Sequence, residues 1–142
     1  MSKNMAPVDT MNADDSIKKE TKLFGLIAEY ASQNRLFVML NKKIKTYNAN
    51  AMMIPMNIRT DDFYFTVANM KNSHVNGAYI ANEYQEEVVE ILDESDEFVQ
   101  VYQKCDFIIR DGQRLLGTYL EKNGNLIGED LAKEIFEKFI KN

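Results

Sequence analysis

The spacing of apolar residues along this chain changes period several times, and each change marks an element. Leu23, Phe24, Leu26 and Ile27 surround Gly25 in a compact run, which predicts a buried strand over 22–28. A polar connection, 29–35, follows. Phe37, Leu40, Ile44 and Tyr47 then recur three and four apart and predict a helix over 36–47, with Asn34 as its cap. Residues 51–58 predict a second strand, and Pro55 directs it to a sheet edge or a bulge. Thr60 is expected to cap the next helix, Asp61 and Asp62 favour its positive end, and Phe63, Val67 and Met70 form its buried stripe.

The rest of the chain is arranged around residues 74–94. Ala78 to Ala81 form a short apolar run with the length of a buried strand, and Gly77 before it permits close backbone approach. Asn82 and Glu83 interrupt the run. From Tyr84 the period becomes helical, with Val88, Ile91 and Leu92 on one face. Phe98, Val99, Val101 and Tyr102 predict a short helix within 95–105. Strands are expected at 106–110 and 114–120, joined at Asp111-Gly112, a strong hairpin signal. Asn123-Gly124 is a second turn, Gly128 ends the polar link, and Ile127, Leu131, Ile135 and Phe139 mark a closing amphipathic helix.

The order β-α-β-α-β-α-β-β-α predicts an α/β fold: a mainly parallel sheet flanked by helices, with an antiparallel hairpin at its margin. Residues 1–20 have no period and are expected to be a disordered tail, leaving 21–142 as one domain.

Composition narrows the function. The net charge of −5 and pI near 4.9 argue against a general nucleic-acid binder. No apolar run approaches the length of a membrane span and the N-terminus has no hydrophobic signal region, so a cytoplasmic protein is the default expectation. Cys105 is the only cysteine and sits among apolar neighbours, as a small buried hydrophobe would. His74 is the only histidine and has no ligand companion, so a metal site has almost no support. Residues 83–97 hold eight acids and no base. They read either as a solvated helix face or as an acidic docking surface for a protein partner or a second copy. The basic stretch from Arg35 to Lys45 has the opposite sign. No glycine-rich phosphate loop or nucleophile elbow occurs.

Three segments resemble the N-terminal substrate-binding domain of shikimate dehydrogenases. KLFGLIAEYASQNRLFVMLNKKI (22–44) resembles the opening strand, serine-bearing loop and first helix. GAYIANEYQEEVVEILDE (77–94) is similar to the strand, loop and lysine-bearing helix, and KCDFIIRDGQRLLGTYLE (104–121) to the following strand, hairpin and aspartate-bearing turn. The resemblance spans 22–121 and implies a mixed, mainly parallel sheet. In the family a separate Rossmann domain carries NADP.

Position by position, the resemblance implies lost chemistry. Asn34 and Leu36 stand where two substrate-binding serines belong. Tyr79 and Ala81 replace an asparagine and a threonine, Glu83 a loop proline, and Gln85 the catalytic lysine. Asp106 replaces an asparagine, and Glu121 falls at the catalytic aspartate. Glutamine cannot relay the proton that a lysine–carboxylate pair handles, and leucine cannot bind a carboxylate as a hydroxyl does. The 21 residues after Glu121 fit one helix rather than a dinucleotide-binding unit, so no cofactor is expected. These readings imply a non-catalytic binding domain acting through protein contact or self-association. The alternatives are a sensor or carrier of a small polar metabolite, and an enzyme of changed specificity drawing on Glu121, Asp106 or Glu83.

Overall fold

The computed structural model describes residues 21–122 and 128–141; the expected tail, the Asn123-Gly124 turn and Ile127 lie outside them. Six strands form one sheet: β1 (Lys22–Ala28), β2 (Ala51–Asn57), β3 (Gly77–Ile80), β4 (Glu94–Ser95), β5 (Phe107–Asp111) and β6 (Arg114–Thr118). Their spatial order is β2-β1-β3-β5-β6-β4. β1 pairs in parallel with β2 and β3, β5 is antiparallel to β3 and β6, and β4 is parallel to β6. Only β5 therefore runs against the others, giving the expected mixed, mainly parallel sheet.

Alternating side chains divide the core between the two faces of this sheet. On one, Phe24, Leu26, Met53 and Phe107 pack beneath α1 (Leu36–Thr46), α4 (Gly128–Ile135) and the π-helical turn Phe136–Ile140 that continues α4. Phe139 stacks on Phe107 with ring centroids 4.3 Å apart. On the other face, Ile27, Ala78, Ile80 and Ile108 meet Phe63 and Val67 of α2 (Thr60–Ala68) and Val99 of α3 (Glu97–Tyr102). Burying side chains of this size contributes about 1.5–3 kcal/mol each relative to exposure. Gly77 has no room for a side chain, because a Cβ there would lie 2.5 Å from Ile108 O. The hairpin turns at Gly112, whose φ of 62° suits the first position of a two-residue loop between Asp111 and Arg114.

Pro55 does lie on an edge strand. The outer edge of β2 is further closed by Asn41 of α1. Its side-chain amide donates to Met53 O at 2.8 Å and accepts from Met53 N at 2.9 Å, taking the place of a neighbouring strand.

Several expectations need correction. The helix predicted from Tyr84, and with it the acidic helix of 83–97, is absent. Two 3₁₀ turns, Asn82–Tyr84 and Glu87–Ile91, stand there instead, followed by β4, which the pattern did not predict. Glu83, Glu86, Glu87 and Glu90 would repel one another at three- and four-residue spacing on an α-helix, and Val88 and Val89 add two β-branched side chains. Thr60 is the first residue of α2 rather than its cap; Arg59 holds the cap position and makes no side-chain capping bond. The last strand ends at Thr118 rather than at residue 120. Asn34 does bond the start of α1, accepting from Leu36 N at 2.8 Å, although Arg35 occupies the cap position. Among the described residues, no helix is long and apolar enough to cross a membrane.

Candidate functional site

Sheet direction alone brings four of the singled-out residues together. β1, β3 and β6 all finish at one end of the sheet, and β5 begins there because it runs the opposite way. Tyr79 near the end of β3 is opposite Phe107. Asp106 therefore sits beside Ile80, whose N–H donates to Asp106 O at 2.7 Å. The chain leaving β6 brings Leu120 and Glu121 over the same point.

Asp106 is fully buried and works first on the backbone. Its carboxylate accepts from Leu120 N at 2.7 Å and Glu121 N at 3.0 Å, fixing the turn that follows β6. Burial, reinforced by a hydrogen bond to the Glu121 carboxyl, pushes the Asp106 carboxyl up to about 8. At neutral pH the Asp106 carboxyl therefore keeps its proton.

Glu121 gathers the other polar groups. The Tyr79 hydroxyl donates to its Oε2 at 3.0 Å, and Gln85 Nε2 approaches the same oxygen at 3.4 Å while donating to Ile80 O at 3.0 Å. Burial first, then the Glu121 and Asp106 carboxyls, hold the Tyr79 phenol far above its usual range, so it remains a donor. Gln85 is buried, and its backbone carbonyl accepts from Cys105 N at 2.9 Å.

Asn34, Leu36, Tyr79 and Glu121 border one cavity of about 370 Å³, with Arg35 at its margin. Ala81 stands apart from this network. It is buried against the core, and its N–H continues the sheet by donating to Ile27 O at 2.9 Å. Glu83 is also elsewhere: it is exposed, and its carboxylate accepts from Glu29 N at 2.9 Å.

The other candidates have structural surroundings. Cys105 is buried, and burial raises its thiol well above the ordinary range, so it offers no thiolate. His74 is exposed. Among the described residues, no three His, Cys, Asp or Glu side chains gather as a metal would need. Half of the acids in 83–97 have partners within the fold. Besides Glu83, Asp93 accepts from Leu115 N and Lys71, which hold its carboxyl below the usual range. Glu94 meets Arg114, while Asp96 caps α3 through Phe98 N and Val99 N and accepts the Thr118 hydroxyl.

Sequence reasoning missed the cavity at the other end of the sheet, bordered by Lys43, Tyr47, Lys133 and Lys141. The basic stretch 35–45 was the only signal pointing there, because its partners lie some ninety residues further along.

No family model matches the chain. Over 101 residues it is 26% identical to shikimate dehydrogenase (NADP(+)) of Pyrococcus furiosus, covering 71% of this chain and 37% of that protein. The chain thus spans little more than a third of that relative's length. Solved structures agree in fold. Shikimate dehydrogenase from Aquifex aeolicus is 17% identical at a TM-score of 0.68, over 92% of this chain and 44% of its own. Shikimate dehydrogenase 1 from Peptoclostridium difficile is 16% identical at 0.68, over 82% and 40%. The 5-ketofructose reductase of a Gluconobacter species is 15% identical at 0.68, over 74% and 38%. The described residues thus form a shikimate-dehydrogenase-like α/β domain, related to those dehydrogenases at low identity over part of their length.

Proposed function

We propose that this domain is a non-catalytic, shikimate-dehydrogenase-like binding module that works by contact with a protein partner or a second copy of itself. The observation that carries the reading is Gln85. It stands 3.4 Å from the Glu121 carboxylate, at the position that resembles the family's catalytic lysine. An amide nitrogen cannot accept and return a proton at neutral pH, whereas an amine can. Tyr79 spends its hydroxyl on the same carboxylate, so these polar groups serve one another rather than a hydroxy-acid substrate. Asp106 and Glu121 place carboxyl groups, rather than hydroxyl or amide donors, where an acidic substrate would sit.

Contact through the surface is supported by α2. Its outer side exposes Tyr64 at 57% and Phe65 at 74%, and Phe65 borders a cleft of about 510 Å³ with Met56 and Ile58. Aromatic side chains in such positions are typical of interfaces. Two measurements test the proposal. Neither the natural chain nor Gln85→Lys should oxidise shikimate with NADP supplied; turnover by either refutes the non-catalytic reading. Light scattering that finds only monomer, together with a pull-down that recovers no partner, refutes the contact reading.

A second reading, a small-molecule sensor or carrier, is favoured by the cavity of about 370 Å³ beside Tyr79 and Glu121. A thermal-shift screen of polar metabolites should then find a ligand whose stabilisation is lost in Glu121→Gln. A screen with no stabilising compound eliminates that reading.

A further inference from the structure

The end of the sheet opposite the Asp106–Glu121 network has the reverse electrostatic character. A cavity of about 600 Å³ opens there between the last turn of α1, the loop 48–50 that leads into β2, the first residue of β1, Lys133 of α4 and the Phe136–Ile140 turn. Its charged lining is Lys22, Lys43, Lys133 and Lys141 against a single acid, Glu137. This concentration of ammonium groups occurs in a chain whose net charge is −5. The cavity also has an aromatic wall. The Tyr47 and Phe136 rings lie 5.4 Å apart, and Lys43 Nζ is 5.6 Å from the Tyr47 ring centroid. Phe136 is buried, but Tyr47 is 65% exposed and leaves ring surface available at the mouth.

Lysines in the last turn of a helix often serve its carbonyl end. In α1 the backbone already does so. Tyr47 N donates to Lys43 O at 3.0 Å, Asn48 N to Lys45 O at 3.1 Å, and Ala49 N to Ile44 O at 2.9 Å. Asn48 makes this possible by adopting a φ of 54°. Neither do salt bridges account for Lys43, Lys133 or Lys141. Among the described residues, the ion pairs involve Lys71, Arg114 and Lys138, not Lys43, Lys133 or Lys141. Like charges collected round one concavity raise its potential and draw anions to it.

We propose that this cavity binds a small phosphorylated molecule carrying a flat ring. Several ammonium groups match the two or more charges of a phosphate ester better than the single charge of a carboxylate. The exposed Tyr47 ring supplies a stacking surface for the ring of the ligand. The volume lies within the usual range for small-molecule sites. The site shares none of its lining residues with the Asp106–Glu121 crevice and does not depend on how that crevice is read.

ATP, with inorganic tripolyphosphate as the ringless control, is the probe. In low salt, millimolar ATP should shift the backbone amide signals of 47–50 and 133–141, and added salt should weaken its binding. Lys43→Glu with Lys133→Glu should reduce ATP affinity by at least about tenfold. Lys133 is exposed, so K133E alone provides the test should the double variant fail to fold. Tyr47→Ala should weaken ATP and leave tripolyphosphate unchanged, while Glu121→Gln should alter neither. Absence of shifts at 47–50 and 133–141, or equal ATP affinity after charge reversal, overturns the proposal. Unchanged ATP affinity in Tyr47→Ala overturns recognition of the ring.

Discussion

The two ends of the sheet handle charge in opposite ways. At one, Asp106 and Glu121 are drawn inward and surrounded by donors: two backbone N–H groups, the Tyr79 hydroxyl and the Gln85 amide. At the other, Lys43, Lys133 and Lys141 border an open cavity without an ion pair among the described residues. Buried charge must be satisfied within the fold, whereas charge facing water need not be. The acidic end thus meets its carboxyls with donors from the fold, and the basic end turns its ammonium groups toward water.

The contrast breaks most visibly at Asp106. Asp106→Ala would remove the acceptor of Leu120 N and Glu121 N within the protein. We expect a loss of about 2–4 kcal/mol in urea unfolding, since an orphaned buried donor costs about 1–3 kcal/mol. A loss near zero would mean that the turn after β6 is held by something else.

The next effect is on pH dependence. The Asp106 carboxyl titrates higher in the folded chain than its ordinary value near 3.8, so the folded state binds more protons between that value and about 8. Its contribution is fully present below the ordinary carboxylate range and is lost as pH rises toward 8. Unfolding at pH 5 and pH 9 should show lower stability at pH 9, and Asp106→Asn should flatten that decline. A decline equally steep in the variant would assign it to other groups.

The smallest effect is expected among the surface acids. Glu86, Glu87 and Glu90 have no partner that fixes the fold among the described residues. Changing all three to glutamine should alter stability by only about 0.5 kcal/mol per site or less. If the variant also keeps the oligomeric state of the natural chain, the acidic segment is not what holds copies together.

Much of this arrangement was legible in the sequence where the signal was local. The compact run at Phe24–Ile27, the α1 spacing of Phe37, Leu40 and Ile44, and Asp111-Gly112 each declared an element. The segment after Asn82 misled because Tyr84, Val88 and Ile91 keep a helical period while the chain turns by i→i+3 bonds, as in Tyr84 N to Ala81 O. Periodicity reports which residues are buried, not how tightly the backbone winds. β4 escaped notice because two residues, paired only with Leu116 and Gly117, leave no pattern to read. The meeting of Tyr79, Gln85, Asp106 and Glu121 followed from family resemblance rather than from any motif. Nothing local links Lys43 with Lys133, since their proximity is created by α4 packing on α1.

The amide of Asn41 bears on when the chain is vulnerable as well as on its final shape. Asn41 and Met53 are only 12 residues apart, whereas Tyr79 and Glu121 are separated by 42. Contacts with short sequence separation cost less loop entropy and can form early. The outer rim of β2 can thus be occupied once α1 and β2 meet, before the distant β5–β6 hairpin docks. With Met53 already engaged and no donor at Pro55, a neighbouring unfinished chain meets a poor template for strand addition during the interval when newly made proteins are most prone to aggregate.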